Sequence, residues 1–205
     1  MFRKLYLSPL GILISLVLNF FAWLKQPFMV YGHFNRKQQR FYKNTRVGST
    51  TILIDKKNID IENNVWIGHF CILDGSGGIQ LGTGVQIASH TCIYSHSSEN
   101  AIRWMGEKFI ETAAQNRSAY IFEKVSIGAF TFIGAGCVLL PGVQIGAGCI
   151  VGGGSVVKGV FPDYSLLVGN PAKIVADTRN IDRDLFLSGL SNKDYYDKNS
   201  DFDKV

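Results

Sequence analysis

From residue 61 onward an aliphatic side chain returns every six positions: Ile61, Ile67, then Leu81, Ile87, Ile93, and after a gap Ile121, Ile127, Ile133, Leu139, Ile145, Val151 and Val157. A small or β-branched residue follows four places after many of them, at Val65, Cys71, Val85, Thr91, Val125, Thr131, Cys137, Val143, Cys149 and Ser155. Neither the 3.6-residue period of a helix nor the two-residue alternation of a half-buried strand gives a strict six. A triangular coil does. Each unit is then a short strand and a turn, three units make a rung of about 18 residues, and the repeated pair points inward.

Corners of such a coil need left-handed backbone, which glycine adopts without steric cost. That accounts for 22 Gly against 5 Pro in 205 residues, a balance that, with 46% hydrophobic residues, excludes a disordered or collagen-like chain. The four cysteines contain no CxxC or CxxH spacing, so they form neither a disulfide framework nor a zinc ribbon. Cys71, Cys137 and Cys149 fall in the small inward slot, as fillers of a core in a reducing compartment.

The net charge of +5 divides unevenly. Residues 1–57 hold ten Lys or Arg against Asp55 alone, +9, and the remaining residues hold eleven basic and fifteen acidic side chains, −4. The body therefore gives no electrostatic reason to expect nucleic acid. Leu5 to Leu24 is uncharged and apolar, long enough as a helix to reach across a bilayer, although Pro9, Gly11 and Asn19 interrupt it. It is too long for a signal peptide and lacks a cleavage site of small residues. Spanning, lying on the membrane and packing on protein all stay open for residues 5–24; if the run spans, the basic residues after it keep the body cytoplasmic, at the inner face of the membrane.

Two interruptions break the six-residue count. Leu73 to Leu81 spans eight residues, so Asp74 to Gly78 should bulge at a corner. Ile93 to Ile121 spans 28, holding residues 97–120 outside the coil as an extended loop. Long inserts in a regular repeat are commonly functional. This one carries Ile102, Trp104, Met105, Phe109, Ile110 and Tyr120, and is expected to pack on a neighbouring subunit and wall a pocket, with Trp104 facing an acceptor.

The repeats, the Ile72–Ile79 stretch ILDGSGGI and the closing VGNPAKI of Val168–Ile174 resemble the hexapeptide-repeat acyltransferases over roughly residues 45–176. The resemblance implies a mainly β fold, a left-handed parallel β-helix, a hand that general crossover rules would not supply. It covers the catalytic coil at 45–176; the residues on either side read as an apolar, basic helical arm at 1–44 and, within 177–205, a short helix around Ile181 to Leu190 followed by a polar tail from Asn192.

It also implies an acetyl-CoA-dependent O-acetyltransferase acting on a sugar hydroxyl. The charged, apolar arm suggests work near a membrane, so the acceptor would be a surface polysaccharide of capsule, O-antigen or lipopolysaccharide type, or a lipid-linked precursor. A homotrimer would carry its sites between subunits, with no metal required.

His96 stands at the mouth of the insert, where the family has its general base. An alcohol is a poor nucleophile at neutral pH, and imidazole titrates close to it. In the maltose and galactoside acetyltransferase pattern the histidine aligns two positions on, at Ser98 here. His90 is the competitor, on an adjacent face; His69 could assist in acceptor binding or be an exposed coil residue, and His33 belongs to the basic arm. Asp74 and Glu99 would orient the imidazole or bind sugar hydroxyls. By position, the donor contacts fall on Ala135, Gly153, Lys158 and Lys173, with Lys158 one place early for the family's Thr-Lys pair.

Other readings are N-acetylation of an amino sugar, a non-catalytic scaffold, and a γ-carbonic-anhydrase-like zinc enzyme. The last needs three convergent histidines, and the 21- and 6-residue spacings of His69, His90 and His96 do not put them on one face.

Overall fold

In the computed structural model, which describes residues 8–187, short parallel strands stack into three sheets, one for each side of a coil. The first side contains the end of Arg40–Gly48, then Trp66–Ile67, Gln86–Ile87, Phe132–Ile133, Ile150–Val151 and Ser165–Gly169. Ile52–Ile54, Ile72–Asp74, Cys92–Tyr94, Val138–Leu139 and Val156–Val157 make the second. The third is Ile59–Ile61, Ile79–Leu81, Val125–Ile127, Gln144–Ile145 and Val160–Phe161. Three parallel sheets of this kind are consistent with a left-handed β-helix.

The inward pair forms the core. Ile61, Ile67, Leu81, Ile87, Ile93, Ile133, Leu139, Val151 and Val157 are fully buried, with Val65, Cys71, Val85, Val125, Cys137, Val143 and Cys149 between them. At about 1.5–3 kcal/mol for each large aliphatic side chain, this column is the main stabilising term. The polar members of the small slot donate to corner carbonyls: Thr91 Oγ1 to Gly134 O at 3.1 Å, Thr131 Oγ1 to Gly146 O at 2.8 Å and Ser155 Oγ to Gly152 O at 2.6 Å. A buried hydroxyl left without such a partner would be costly.

Rung length is not constant. On the first side Arg46 pairs with Trp66, Trp66 with Gln86, Gln86 with Phe132, Phe132 with Ile150 and Ile150 with Leu166. The first two rungs, of 20 residues each, are thus longer than the last two, of 18 and 16, and both place the surplus at the corner between the second and third sides. There Asn58 N donates to Asp55 O at 2.8 Å, and one rung later Gly78 N donates to Gly75 O at 2.9 Å. The bulge at Asp74 to Gly78 therefore has a twin beneath it. At the same corner the third rung carries the insert.

Several expectations are corrected. The insert is not an extended loop: it folds as helices Glu99–Met105 and Lys108–Glu111 and a 3-10 turn at Ala114–Asn116. Its entry and exit are zipped by antiparallel pairing of His96 with Phe122 and Ser97 with Ile121. Ile121 is accordingly only partly buried, and the core resumes at Val125.

The arm is not wholly helical. Helix α1, Pro9–Leu24, capped by the Ser8 hydroxyl on Gly11 N, is followed by a hairpin of Met29–Asn35 on Arg40–Gly48. Its second strand runs on into the coil. Tyr42 and His33 turn inward across this hairpin while Phe34 and Phe41 face out, an alternation that suits strands rather than a helix. At the other end Ala172–Asp177 folds back on Ser165–Gly169, and a helix follows at Thr178–Leu187. The expected polar tail from Asn192 lies outside the described residues.

Corners also depart from the glycine rule. Phe70, His90, Phe130 and Tyr164 hold left-handed backbone, with φ between 56° and 63°. The strain, about 1–2 kcal/mol each, is held in place by the ladders on either side. Phe70 and His90 recover part of it by stacking at 5.1 Å.

Candidate functional site

Cys92–Tyr94 delivers three residues to the wide corner: Ser95, His96 and Ser97. Ser95 is fully buried, donating to Asp74 O at 2.5 Å and accepting from Gly77 N at 2.8 Å, so it ties the third rung to the second. Gly77 has to be glycine here, because a Cβ would stand 2.1 Å from Ser95 O. This clamp fixes the backbone on which His96 sits.

Asp74 ends its strand one rung below, 5% exposed, and its Oδ2 lies 3.2 Å from His96 Nδ1. Nδ1 is itself buried and meets no other polar partner, and the pair is an ion-pair contact lying off the axis of a good hydrogen bond. Oδ1 of Asp74 receives the Ser76 amide at 2.9 Å and the Ser76 hydroxyl at 2.6 Å, while Asp55 Oδ2 lies 3.1 Å from that same hydroxyl. Burial pushes the Asp74 carboxyl up, but the Ser76 hydrogen bonds and neighbouring His96 outweigh it and hold it below the usual carboxylate range. An ionised Asp74 favours a proton on Nδ1, leaving Nε2 the ring nitrogen free to accept one.

The imidazole plane is set by aromatic rings. Tyr120 stacks on His96 at 5.9 Å and 3°, Phe122 lies 6.3 Å away, and the two rings stack on each other at 4.8 Å. Beside them opens a cleft of about 470 Å³ lined by Tyr94, His96, Ser97, Ser98, Glu99, Ile121, Glu123, Leu140, Pro141 and Lys158. Burial, then the neighbouring Cys92 and Asp74, push the Tyr94 phenol up. A base held by a carboxylate at the mouth of a cleft with further carboxylates can deprotonate a bound hydroxyl or amine.

Of the predicted residues, His96, Asp74 and Glu99 converge, with Ser98 on the cleft wall. Trp104 does not join them: it is 81% exposed on its helix and lies outside the lining. His90 sits at a different corner, exposed, with its ring on Phe70. His69 contacts Thr50 Oγ1 at 3.2 Å, and His33 is buried in the first hairpin. Among the described residues no three His, Cys, Asp or Glu side chains cluster as a metal site.

The four residues assigned to the donor do not share one edge. Ala135 and Gly153 stack at the corner between the first and second sides, where Gly154 N donates to Ala135 O at 2.8 Å. Both are exposed, and a Cβ on neighbouring Gly136 or Gly154 would meet nothing within 4 Å, so bare backbone faces outward there. Lys158 instead lines the His96 cleft. Lys173 pairs with Val168 in the terminal hairpin, exposed.

The sequence marks Tyr120 only as one apolar residue of the insert wall and does not single out Phe122, Glu123, Leu140 and Pro141. Tyr120 and Phe122 alternate around Ile121 at the insert's exit, which is a signal, and stacking of Leu139 on Ile93 is what brings Leu140 and Pro141 to the cleft.

The profile of bacterial transferase hexapeptide (six repeats) matches residues 124–159. That segment carries the repeats of the hexapeptide-repeat transferases. A Staphylococcus aureus (strain COL) protein that bears an acetyltransferase name is 33% identical over 139 residues, 62% of this chain and 58% of its own. Serine acetyltransferase of Buchnera aphidicola is 33% identical over 129 residues, 63% of this chain and 44% of its own. The chain thus spans at most about three fifths of the length of these curated relatives.

Two solved structures extend the likeness. AntD, an N-acyltransferase from Bacillus cereus, in complex with dTDP and 3-hydroxybutyryl-CoA, is 27% identical with a TM-score of 0.53, over 73% of this chain and 90% of its own. Maltose O-acetyltransferase from Clostridium difficile 630 is 26% identical with a TM-score of 0.52, over 63% and 64%.

Proposed function

We propose that the chain transfers an acetyl group from acetyl-CoA to a sugar hydroxyl, with His96 as general base and Asp74 as the group that orients it. The observation that carries this reading is the buried Asp74–His96 contact at the head of the cleft. His96 Nε2 takes the hydroxyl proton as the oxygen attacks the thioester carbonyl. The tetrahedral intermediate collapses, the C–S bond breaks, and the imidazolium returns its proton to the departing thiolate. No covalent enzyme intermediate is needed: burial pushes the Cys71, Cys137 and Cys149 thiols up, away from the nucleophilic thiolate form.

The acceptor is a saccharide of a surface polysaccharide or its lipid-linked precursor, a choice supported by the basic, apolar arm and by likeness to the maltose enzyme. Glu99 and Glu123 on the cleft wall are suited to sugar hydroxyls. The donor's thioester lies in the cleft beside His96, with Lys158 on its wall, in a homotrimer whose neighbouring chain completes the site. Likeness to AntD supports a second reading, in which the acceptor is the amine of an amino sugar.

The test is thiol release from acetyl-CoA by the purified full chain, with a panel of sugars and amino sugars, and mass analysis of the product. Turnover with sugars supports the first reading, and turnover with amino sugars alone replaces it by the second. Release that His96→Ala leaves unchanged removes His96 from the chemistry.

A further inference from the structure

Helix α1 is exposed on every side. Leu10, Ile12, Leu13, Leu16, Leu18, Phe20, Phe21, Trp23 and Leu24 each show between 52% and 62% of their surface, and Gly11 is its one buried residue. At 100° per residue these side chains cover roughly two thirds of the circumference, leaving a narrower strip of Gly11, Ser15, Asn19 and Ala22. A groove on protein covers one face of a helix. An apolar medium around the helix covers two thirds of it.

The hairpin that follows continues the surface. Phe28, Tyr31, Phe34 and Phe41 are 50–70% exposed, and Phe34 and Phe41 face each other across the two strands on the side away from the core. Lys43, two residues beyond Phe41, shares that outer face, and Lys25, Arg36, Lys37 and Arg40 are exposed around it. No acidic residue precedes Asp55. Aromatic rings among lysines and arginines are the chemistry of the lipid headgroup layer, where the rings sit at the polar boundary and the cations meet anionic lipids.

We propose that α1 and the outer face of the hairpin dock this chain on an anionic lipid bilayer, α1 entering the hydrocarbon and the basic hairpin lying on the headgroups. Sixteen residues make a helix of about 24 Å, short of the roughly 30 Å hydrocarbon core, so the described helix enters the membrane without crossing it. The inference stands apart from the acyl-transfer reading, because it involves no residue of the cleft.

The test is flotation of the full chain with vesicles of phosphatidylcholine alone and of phosphatidylcholine with phosphatidylserine, at low and high salt. Binding to the anionic vesicles should be at least tenfold stronger and should weaken with salt. The double variant Leu13→Glu/Phe20→Glu should lose binding to both, with the thermal unfolding of the coil unchanged. Arg36→Glu/Lys43→Glu should lose only the preference for anionic vesicles. In a Trp66→Phe/Trp104→Phe background, Trp23 should be quenched by lipids brominated in their chains. Absence of flotation, or equal flotation of the Leu13→Glu/Phe20→Glu chain, overturns the proposal. So does an assembly that forms without lipid and falls apart in that variant, since a second copy would then be what covers α1.

Discussion

His96 Nδ1 and Asp74 Oδ2 lie 3.2 Å apart although 22 positions separate them in the sequence, because the coil stacks the ends of their strands one above the other. Two variants should part their roles. His96→Ala should lower acetyl transfer by about 10²–10⁴-fold with donor binding retained, the range expected for a general base. Asp74→Asn keeps the shape but loses the charge, and should lower kcat by a smaller factor with little change in KM. Steady-state kinetics and donor titration decide it; an Asp74→Asn enzyme as fast as the parent would rule out the orienting role.

Asp74 also carries a pH signature. Its folded carboxyl titrates below its ordinary value of 3.8, so its contribution to stability is fully present above that value and is lost as pH falls through the lower, folded one. The parent should therefore exceed Asp74→Asn in stability at pH 7, with the gap narrowing below about pH 4. Urea unfolding of both chains at several pH values measures the gap. Asp177, also held low, chiefly by hydrogen bonds from Arg179, contributes in the same direction in both chains and cancels in the comparison.

Thiol chemistry should separate the cysteines by burial. Cys71, Cys137 and Cys149 are fully buried with thiols pushed up, whereas Cys92 is partly exposed. At pH 8 a thiol-specific reagent should label one residue quickly in the native chain and four after unfolding. Rapid labelling of two or more in the folded state would contradict the inward placement.

Glycines at two corners should fail for different reasons. A Cβ on Gly128 would stand 2.4 Å from Ala147 N and Gly146 C, backbone that cannot yield, so Gly128→Ala should destabilise by several kcal/mol, at the upper end of single-residue effects, about 3 or more. Gly136 meets nothing within 4 Å but holds φ at +69°, so Gly136→Ala should cost only about 1–2 kcal/mol. Within the core, Leu139→Ala should cost about 2–5 kcal/mol. Chemical unfolding of the three variants gives the order directly.

The coil was legible because its rule is local. Ile133 and Cys137 announce their inward positions by spacing alone, and their burial follows from any triangular stacking. His96 and Asp74 were legible as candidates, and their contact follows from a rung of twenty residues, which the eight-residue unit from Leu73 to Leu81 already implied. Trp104 was not legible. An apolar residue in an insert has no periodic partner to fix its direction, and the helix Glu99–Met105 turns it to the outside. The corner at Phe130 was hidden for the opposite reason: its neighbours, not its own preference, impose the left-handed backbone, with the ring laid over Gly84.

The insert leaves and re-enters at one point, since Ser97 faces Ile121 across the two-residue ladder. Its length is thereby uncoupled from the phase of the coil. Residues can be gained or lost between those two positions without moving any inward side chain to a wrong face, whereas a single residue added to a strand would misalign every rung after it. The coil acts as a fixed socket and the insert as an exchangeable fitting. Related chains should therefore diverge most freely there, and grafting another insert between Ser97 and Ile121 is the economical way to change what the cleft accepts.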